Sequence, residues 1–253
     1  MSSKPDIVSA AILVIGDEIL SGRTKDKNIG HIAETAGAAG IDIREVRVVP
    51  DEEDEIVAAV DALRSRYTYV FSTGGIGPTH DDITADAMAK AFGVTIDHDP
   101  RAVAIRAAHY GEGQLTEARL RMARIPAGAD LVANPVSAAP GFRIGNVIVM
   151  AGVPAIMQRM LDSVLPSLAA GAKTLSRTVS PGPGIGESML AAALGAIAQA
   201  HPAVSIGSYP SFGTAGGFQT QLVIRGKDEA AVAAAEAEVA AMVEEVKARL
   251  GKT

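Results

Sequence analysis

The sequence of 253 residues contains no cysteine and no tryptophan. Without cysteine the chain can form no disulfide, no thiolate nucleophile and no zinc–sulfur site. Aromatic residues make up only 4% of the chain, which disfavours a surface that stacks nucleic-acid bases. The longest early apolar run, residues 7–15, is too short to span a bilayer and lacks the basic flank and cleavage pattern of a signal peptide. We therefore expect a cytoplasmic protein with no membrane partner.

An excess of basic residues is also missing, because the formal net charge is −6 at pH 7. A chain of this charge is poorly suited to bind the phosphate backbone of nucleic acid, so we expect no nucleic-acid partner. What the chain does have is a hydrophobic content of 48%, which is enough for a sizeable core. Its length allows one large domain or two smaller ones.

Strand and helix signals alternate through the first half of the sequence. Residues 10–15 form a continuous apolar run, which is typical of a strand buried on both faces. Two further strand–helix units follow before residue 93. This alternation predicts an α/β fold, a three-layer α/β/α arrangement around a mainly parallel sheet. Residues 126–141 are rich in proline and glycine and are predicted to be irregular. We assign residues 1–170 to this domain.

A second, smaller α+β domain is predicted over residues 173–253. Its signals follow the order β-α-β-β-α, and Asp228 is placed to cap the final alanine-rich helix. The segment is not basic and shows no convincing loop that could clamp a nucleic-acid backbone. This again argues against a nucleic-acid module.

In parallel α/β sheets, ligands bind outside the carboxyl ends of the strands. The first three predicted strands are followed by acidic turns, which contain Gly16-Asp17-Glu18, Pro50-Asp51-Glu52 and the stretch from Gly74 to Asp82. These turns should therefore face one rim of the sheet. Each also has a simpler interpretation, since Asp17 could be a solvated turn residue and Asp51 the N-cap of the following helix.

The third turn carries the most specific pattern, Thr-Gly-Gly-Ile-Gly-Pro-Thr-His-Asp-Asp-Ile-Thr over residues 73–84. Its glycines let the backbone approach a ligand, and the first N–H groups of the next helix are unpaired and partly positive, so the turn could hold a phosphate. The adjacent Asp81 and Asp82 would repel a bare phosphate. They suggest a metal ion, a donor group on the ligand or a helix cap, and we expect one of them to be the N-cap of the next helix.

Small and turn-forming residues mark the rest of the candidate ligand site. The segment from Asn134 to Gly141 and the turn at Gly152 leave room for a bulky ligand. The candidate ligand-binding residues are Gly16, Gly74, Gly75, Gly77, Pro78, Thr79, Thr84, Asn134, Pro140, Gly141 and Gly152. The five histidines show no spacing typical of a metal site.

Together, these motifs resemble the molybdopterin-binding (MoaB/Mog-like) domain family over residues 8–170. The Gly-Pro-Thr followed by paired aspartates is most similar to the CinA (competence/damage-inducible protein A) branch, and residues 173–253 resemble the KH-like domain that follows in CinA. The chain ends where full-length CinA begins its nicotinamide-mononucleotide deamidase domain, so that activity is not expected. The resemblance also implies a homodimer.

The resemblance implies one of two functions. CinA-type domains, and the similar domain of some eukaryotic FAD synthases, are associated with metal-dependent cleavage of the pyrophosphate in ADP-ribose or FAD. Mog-type proteins instead bind molybdopterin and adenylylate it, and there the acids that match Asp51 and Asp82 are the important ones. In either case the expected partner is a small nucleotide or pterin phosphate.

For the hydrolytic alternative, which we favour, the expected cofactor is a divalent metal ion, Mg²⁺, Mn²⁺ or Co²⁺. The candidate metal ligands are Asp17, Asp51 and Asp82. The metal would neutralise developing charge and polarise the attacking water. For the rival function, molybdopterin would be the ligand instead.

The candidate catalytic residues are Asp51, Asp81 and Asp82, with Asp81 or Glu18 as the base. Backbone N–H groups of residues 75–79 would hold the pyrophosphate.

One position departs from the family pattern. The family usually shows Pro-Gly-x-Pro-x-Glu-Met near its last strand, whereas Ile156 stands here in place of the acid and Ala151 in place of the first proline. If that carboxylate helps to bind metal or ligand, activity in this chain is reduced or altered.

Overall fold

The computed structural model describes residues 7–111, 113–213 and 217–251. The chain divides into two compact units between Gly171 and Ala172. Within the described residues, no helix is both long enough and apolar enough to cross a membrane.

The first unit contains eight strands and seven helices among its described residues. The strands are β1 (Val8–Ile15), β2 (Ile41–Val49), β3 (Tyr69–Thr73), β4 (Ile96–His98), β5 (Arg124–Pro126), β6 (Asp130–Val132), β7 (Gly141–Ile144) and β8 (Val147–Met150). The helices are α1 (Asp17–Leu20), α2 (Asn28–Ala38), α3 (Glu53–Arg64), α4 (Thr84–Phe92), α5 (Pro100–Tyr110), α6 (Glu117–Arg121) and α7 (Pro154–Val164). A single 3₁₀ turn, Leu165–Ser167, follows α7.

A six-stranded sheet in the order β2-β1-β3-β8-β7-β6 forms the centre of this unit. Strands β2, β1, β3 and β8 run parallel to one another, whereas β7 pairs antiparallel with both β8 and the edge strand β6. The predicted three-layer α/β fold with a mainly parallel sheet is therefore confirmed. The expectation of an irregular stretch over residues 126–141 is wrong in part, because the short strands β5, β6 and β7 lie within or beside it.

Strand β1 shows why the sheet is covered on both faces. Alternate side chains point to opposite faces of a strand, and Leu13 and Ile15 belong to one apolar cluster while Ile12 and Val14 belong to the other. All four are buried. Helices α3 and α4 supply the first cluster, and α2 and α7 supply the second. The continuous apolar run is thus explained by burial on both sides.

The second unit has the predicted order of elements. These are β9 (Leu175–Val179), α8 (Glu187–Ala200), β10 (Ser205–Gly213), β11 (Gly217–Gly226) and α9 (Glu229–Arg249). The strands form an antiparallel sheet in the order β10-β11-β9. A separate apolar core joins residues such as Leu190, Leu222 and Val239. Asp228 caps α9 as predicted, since its carboxylate accepts a hydrogen bond from the N–H of Ala231 at 2.8 Å.

Candidate functional site

The turn after β3 begins with a glycine that no other residue can replace without strain. Gly74 has φ of +107°, and a Cβ at this position would overlap the carbonyl oxygen of Ile15 at the end of β1. Its N–H donates to the carbonyl of Met150 in β8 at 3.2 Å. The turn is therefore clamped to the carboxyl ends of two neighbouring strands, which fixes where its next residues lie.

Thr84 closes the turn from the other end. Its buried hydroxyl donates to the carbonyl of Gly74 at 3.0 Å, and its N–H donates to the carbonyl of Gly75 at 3.1 Å. A Cβ on Gly75, whose φ is +64°, would overlap the Thr84 hydroxyl. Thr84 was predicted to bind ligand, and in the structure it ties the turn to the start of α4.

Asp82 points into the turn. Its Oδ1 accepts from the N–H of Gly77 at 2.6 Å, while its Oδ2 accepts from the N–H of Thr79 at 2.8 Å and from the Thr79 hydroxyl at 2.5 Å. Two of the amides predicted to hold a phosphate are therefore already donating to Asp82. The expectation that Asp81 or Asp82 is the N-cap of α4 is wrong, because Ile83 occupies that position and no side chain caps the helix.

The three acidic turns do meet at one rim. The carboxylates of Asp17, Glu18, Asp51 and Asp81 line an open depression that we call the acidic depression, and Arg23 lines it as well. Asp17, Glu18 and Asp81 are exposed, whereas Asp51 is half-buried. The N–H of Asp17 donates to Oδ2 of Asp51 at 3.0 Å, so the turns after β1 and β2 are joined directly. Asp82 faces a different depression, beside Gly75 and Pro140.

Asp51 is not the N-cap of the helix that follows β2. The N-cap of α3 is Glu52, without a side-chain bond to the helix, so the expectation that Asp51 could cap α3 is wrong. Burial raises the pKa of Asp51, and the nearby carboxylates of Asp17, Glu18 and Asp81 raise it further, against the opposing effect of the Asp17 N–H. A half-buried carboxylate that faces further negative charge is a favourable place for a cation.

The predicted set of metal ligands is not assembled as one cage. Within residues 7–111, 113–213 and 217–251, no three histidine, aspartate or glutamate side chains are grouped so that they could hold a metal ion. Asp17 and Asp51 lie together, but Asp82 is engaged inside the turn. Magnesium usually keeps several waters and binds through one or two carboxylates and the phosphates of its substrate. The oxygen donors of the acidic depression fit that smaller requirement.

Two glycines at the rim are placed by close backbone packing. Gly16 is buried, and its N–H donates to the carbonyl of Val49 at 3.1 Å. Gly152 is exposed, and a Cβ there would come within 3.3 Å of the Cα of Gly74. Its carbonyl accepts from Nδ2 of the buried Asn28 at 2.8 Å. Gly152 therefore borders the turn after β3, whereas Gly16 packs against the end of β2.

The segment from Asn134 to Gly141 has a structural role. The buried Asn134 side chain donates to the carbonyl of Ala139 at 2.8 Å and accepts from the N–H groups of Val136 and Ser137. Gly141 lies in β7, where a Cβ would overlap a β8 carbonyl. Of the predicted residues in this segment, Pro140 alone borders a depression next to the turn.

The position that departs from the family pattern lies in α7. Ile156 is partly buried and packs against the apolar cluster on the α2–α7 face of the sheet. Ala151, the other departure, packs against the same cluster. Ile156 therefore contributes to packing at a point where the family pattern has an acid.

Sequence reasoning missed a cationic groove next to the turn. Arg121 at the end of α6 and Arg124 at the start of β5 line it together with Pro78, His80, His98 and Glu117, and we call it the arginine groove. The one available signal was the cluster of arginines between residues 119 and 124. Their spacing gave no indication that they would pack against a turn some 40 residues earlier in the chain.

Comparisons with known proteins agree with this geometry. A family model described as a probable molybdopterin binding domain matches residues 11–170. The chain belongs to this family. The structure of CinA from Thermoplasma acidophilum, described as having unknown function, has a TM-score of 0.60 and 35% identity to this chain, and the match covers 64% of this chain and 99% of that one. The first unit, which contains the molybdopterin-binding-family domain, is thus CinA-like.

Two further relatives support the same placement. A CinA-like protein of Citrifermentans bemidjiense is 42% identical over 165 residues, which are 62% of this chain and 40% of that protein. A protein of Caldivirga maquilingensis is 41% identical over 165 residues, which are 63% of this chain and 64% of that protein. The match thus spans less than two thirds of the length of either relative. A model described as the middle domain of FAD synthase matches residues 184–249, in the second unit.

Proposed function

We propose that this CinA-like protein is a metal-dependent pyrophosphatase that cleaves ADP-ribose- or FAD-like dinucleotides. The observation that carries the proposal is the acidic depression, in which the half-buried Asp51 faces Asp17, Glu18 and Asp81 beside a glycine-rich turn. Carboxylate oxygens are the ligands preferred by Mg²⁺ and Mn²⁺. The match of the second unit to a domain of FAD synthase is consistent with a dinucleotide of this kind.

We assign different roles to the carboxylates of the acidic depression. Asp51 is held by the N–H of Asp17, and these two carboxylates are the best-placed ligands for the metal. A bound divalent ion would supply charge neutralisation and a polarised water. We propose Asp81, exposed at the edge of the same depression, as the residue that would serve as general base.

Not all of the backbone N–H groups of residues 75–79 are available to hold a phosphate. Gly77 and Thr79 donate to Asp82, whereas the N–H groups of Gly75 and Ile76 have no acceptor within the described residues. Backbone N–H groups of a glycine-rich turn bind phosphate oxygens. We therefore assign the phosphate contact to Gly75 and Ile76, and Asp82 to shaping the turn that presents them.

A second candidate function is the binding or adenylylation of molybdopterin. It is favoured by the family model for residues 11–170, which is described as a probable molybdopterin binding domain. In that function the same acidic depression would meet the donor groups of a pterin or a metal bound to adenylate. We propose a homodimer in either case, on the basis of the family resemblance, and light scattering of the full chain tests it.

The deciding experiment is a substrate panel. ADP-ribose, FAD, NAD and ATP are incubated with the full chain and Mg²⁺, Mn²⁺ or Co²⁺, and release of AMP is measured. We expect release from ADP-ribose or FAD, loss of release in EDTA, and a decrease of about 100-fold or more in Asp51→Asn, because that variant removes a metal ligand. Glu55→Gln, an exposed acid of α3 outside the depression, is the control and should behave as wild type.

The opposite result is equally clear. If no dinucleotide is cleaved with any of these metals, hydrolysis is the wrong function. Retention of a pterin by the chain after purification from cells that make molybdopterin would then support the second candidate.

A further inference from the structure

The arginine groove adjoins the acidic depression through one turn. Asp81 lines the acidic depression, and the carbonyl of the next residue, Asp82, accepts from Nη2 of Arg121 at 3.2 Å. Neighbouring Cα atoms are only about 3.8 Å apart. A cationic surface and an anionic surface therefore meet at consecutive residues of the same turn.

Most charges in the groove are already compensated. Arg124 forms a two-point ion pair with Asp86, at 2.8 and 2.6 Å. The imidazole of His80 lies 3.9 Å from Asp81, and that of His98 lies 3.6 Å from Asp97. These groups have anionic neighbours within the protein, so none of them requires a bound anion.

Arg121 differs from them. Within the described residues it has no carboxylate partner, and its single hydrogen bond is the one to the Asp82 carbonyl. Its Nε is buried and has no acceptor in the same part of the chain. A guanidinium is always charged and carries five donors, so Arg121 keeps unused donors beside the turn. The exposed Glu117 also lines the groove, but it makes no ion pair with Arg121.

We propose that Arg121 binds a phosphate group of the ligand, next to the phosphate that meets the metal at the acidic depression. This inference deepens the proposed function and rests on it. The planar fork of a guanidinium matches phosphate oxygens at two points, and its hydrogen bond to Asp82 holds it against the turn. In a diphosphate such as that of ADP-ribose, one phosphate would then meet the metal and the other would meet Arg121.

The test uses inorganic pyrophosphate in the presence of Mg²⁺ and measures binding, so that no turnover is required. The Nε–H signal of Arg121 is assigned in nitrogen-edited NMR spectra of the full chain by its loss in Arg121→Lys. We expect this signal to shift and saturate as pyrophosphate is added. The affinity for pyrophosphate should decrease about tenfold or more in Arg121→Gln. Arg159→Gln, an exposed arginine on α7, is the matched control and should bind as wild type.

The outcomes separate this inference from the proposed function. A signal that does not move during the titration overturns the inference, as does an Arg121→Gln variant that is folded and binds as wild type. If Arg121→Gln fails to fold, the wild-type titration still decides. Cleavage of ADP-ribose or FAD without a shift of the Arg121 signal would support the hydrolase and contradict the phosphate site at Arg121. A shift of the signal without any cleavage would support the phosphate site and contradict the hydrolase.

Discussion

The inner side of the Gly74–Thr84 turn and the acidic depression beside it use the same kind of side chain in opposite ways. Inside the turn, the carboxylate of Asp82 accepts three hydrogen bonds from Gly77 and Thr79. In the acidic depression, Asp51 accepts one hydrogen bond from Asp17 and faces three further carboxylates. The first charge is satisfied by the protein. The second receives less compensation from hydrogen bonds and would be stabilised by a bound cation or a proton.

This difference indicates which acids build the site and which act in it. A carboxylate whose oxygens are occupied by backbone N–H groups stabilises a loop. A half-buried carboxylate among like charges lowers stability and persists where binding requires it. Asp82 belongs to the first group and Asp51 to the second, although both have the same chemistry in the sequence.

The largest effect should come from the residue that holds both regions in place. Gly74→Ala would force a Cβ into the carbonyl of Ile15 at a φ of +107°. We expect the free energy of unfolding to decrease by about 3 kcal/mol or more, or folding to fail. Urea unfolding followed by circular dichroism measures the change.

A matched glycine tests whether the effect belongs to the turn. Gly30 lies in α2, and a Cβ there would meet no atom within 4 Å. Gly30→Ala should therefore raise stability by about 0.5–1 kcal/mol. Equal stability of Gly74→Ala and the wild type would show that the turn is not clamped to β1.

A smaller effect should separate the two adjacent aspartates. In Asp82→Asn the amide N–H₂ replaces one acceptor oxygen and faces the donors of Gly77 or Thr79. We expect a loss of about 1–2 kcal/mol in the free energy of unfolding. Asp81→Asn changes an exposed side chain, so its stability should stay within about 0.5 kcal/mol of the wild type, while AMP release decreases. Denaturant unfolding of the two variants side by side makes the comparison, and equal losses of stability would contradict the division of roles.

Much of the fold follows from the sequence because its signals are local. The apolar run of β1 predicts burial on both faces, and it is buried on both. That three acidic turns meet at one rim follows from a general property of parallel sheets, whose strands end at the same edge. The short strands β5, β6 and β7 escaped prediction because three or four residues between prolines and glycines carry too little periodicity.

The inside of the turn could not be predicted in the same way. Asp81 and Asp82 are identical in chemistry, and which one turns inward depends on the glycine backbone angles and on contacts with Gly77 and Thr79. The position of Arg121 depends on a contact with a carbonyl 39 residues away in the sequence. Such contacts arise from tertiary packing, so the local sequence pattern does not predict them.

The smallest effect should be a dependence of stability on pH that belongs to Asp51. Burial and neighbouring carboxylates raise its pKa above the usual 3.8, so the folded chain holds this proton more tightly than the unfolded chain. The contribution of Asp51 to stability is therefore fully present below pH 3.8 and is lost as pH rises through its folded pKa. Asp51→Asn removes this loss, so its stability relative to the wild type should increase as the pH rises from 3.8 through the folded pKa of Asp51. Urea unfolding measures this trend, and Glu55→Gln should not show it. Because Mg²⁺ favours the charged form of Asp51, saturating Mg²⁺ should stabilise the wild type at pH 7 and leave Asp51→Asn unchanged. If Mg²⁺ does not stabilise the wild type, Asp51 is not a metal ligand. The proposed difference between Asp82, which shapes the turn, and Asp51, which binds the metal, would then be wrong.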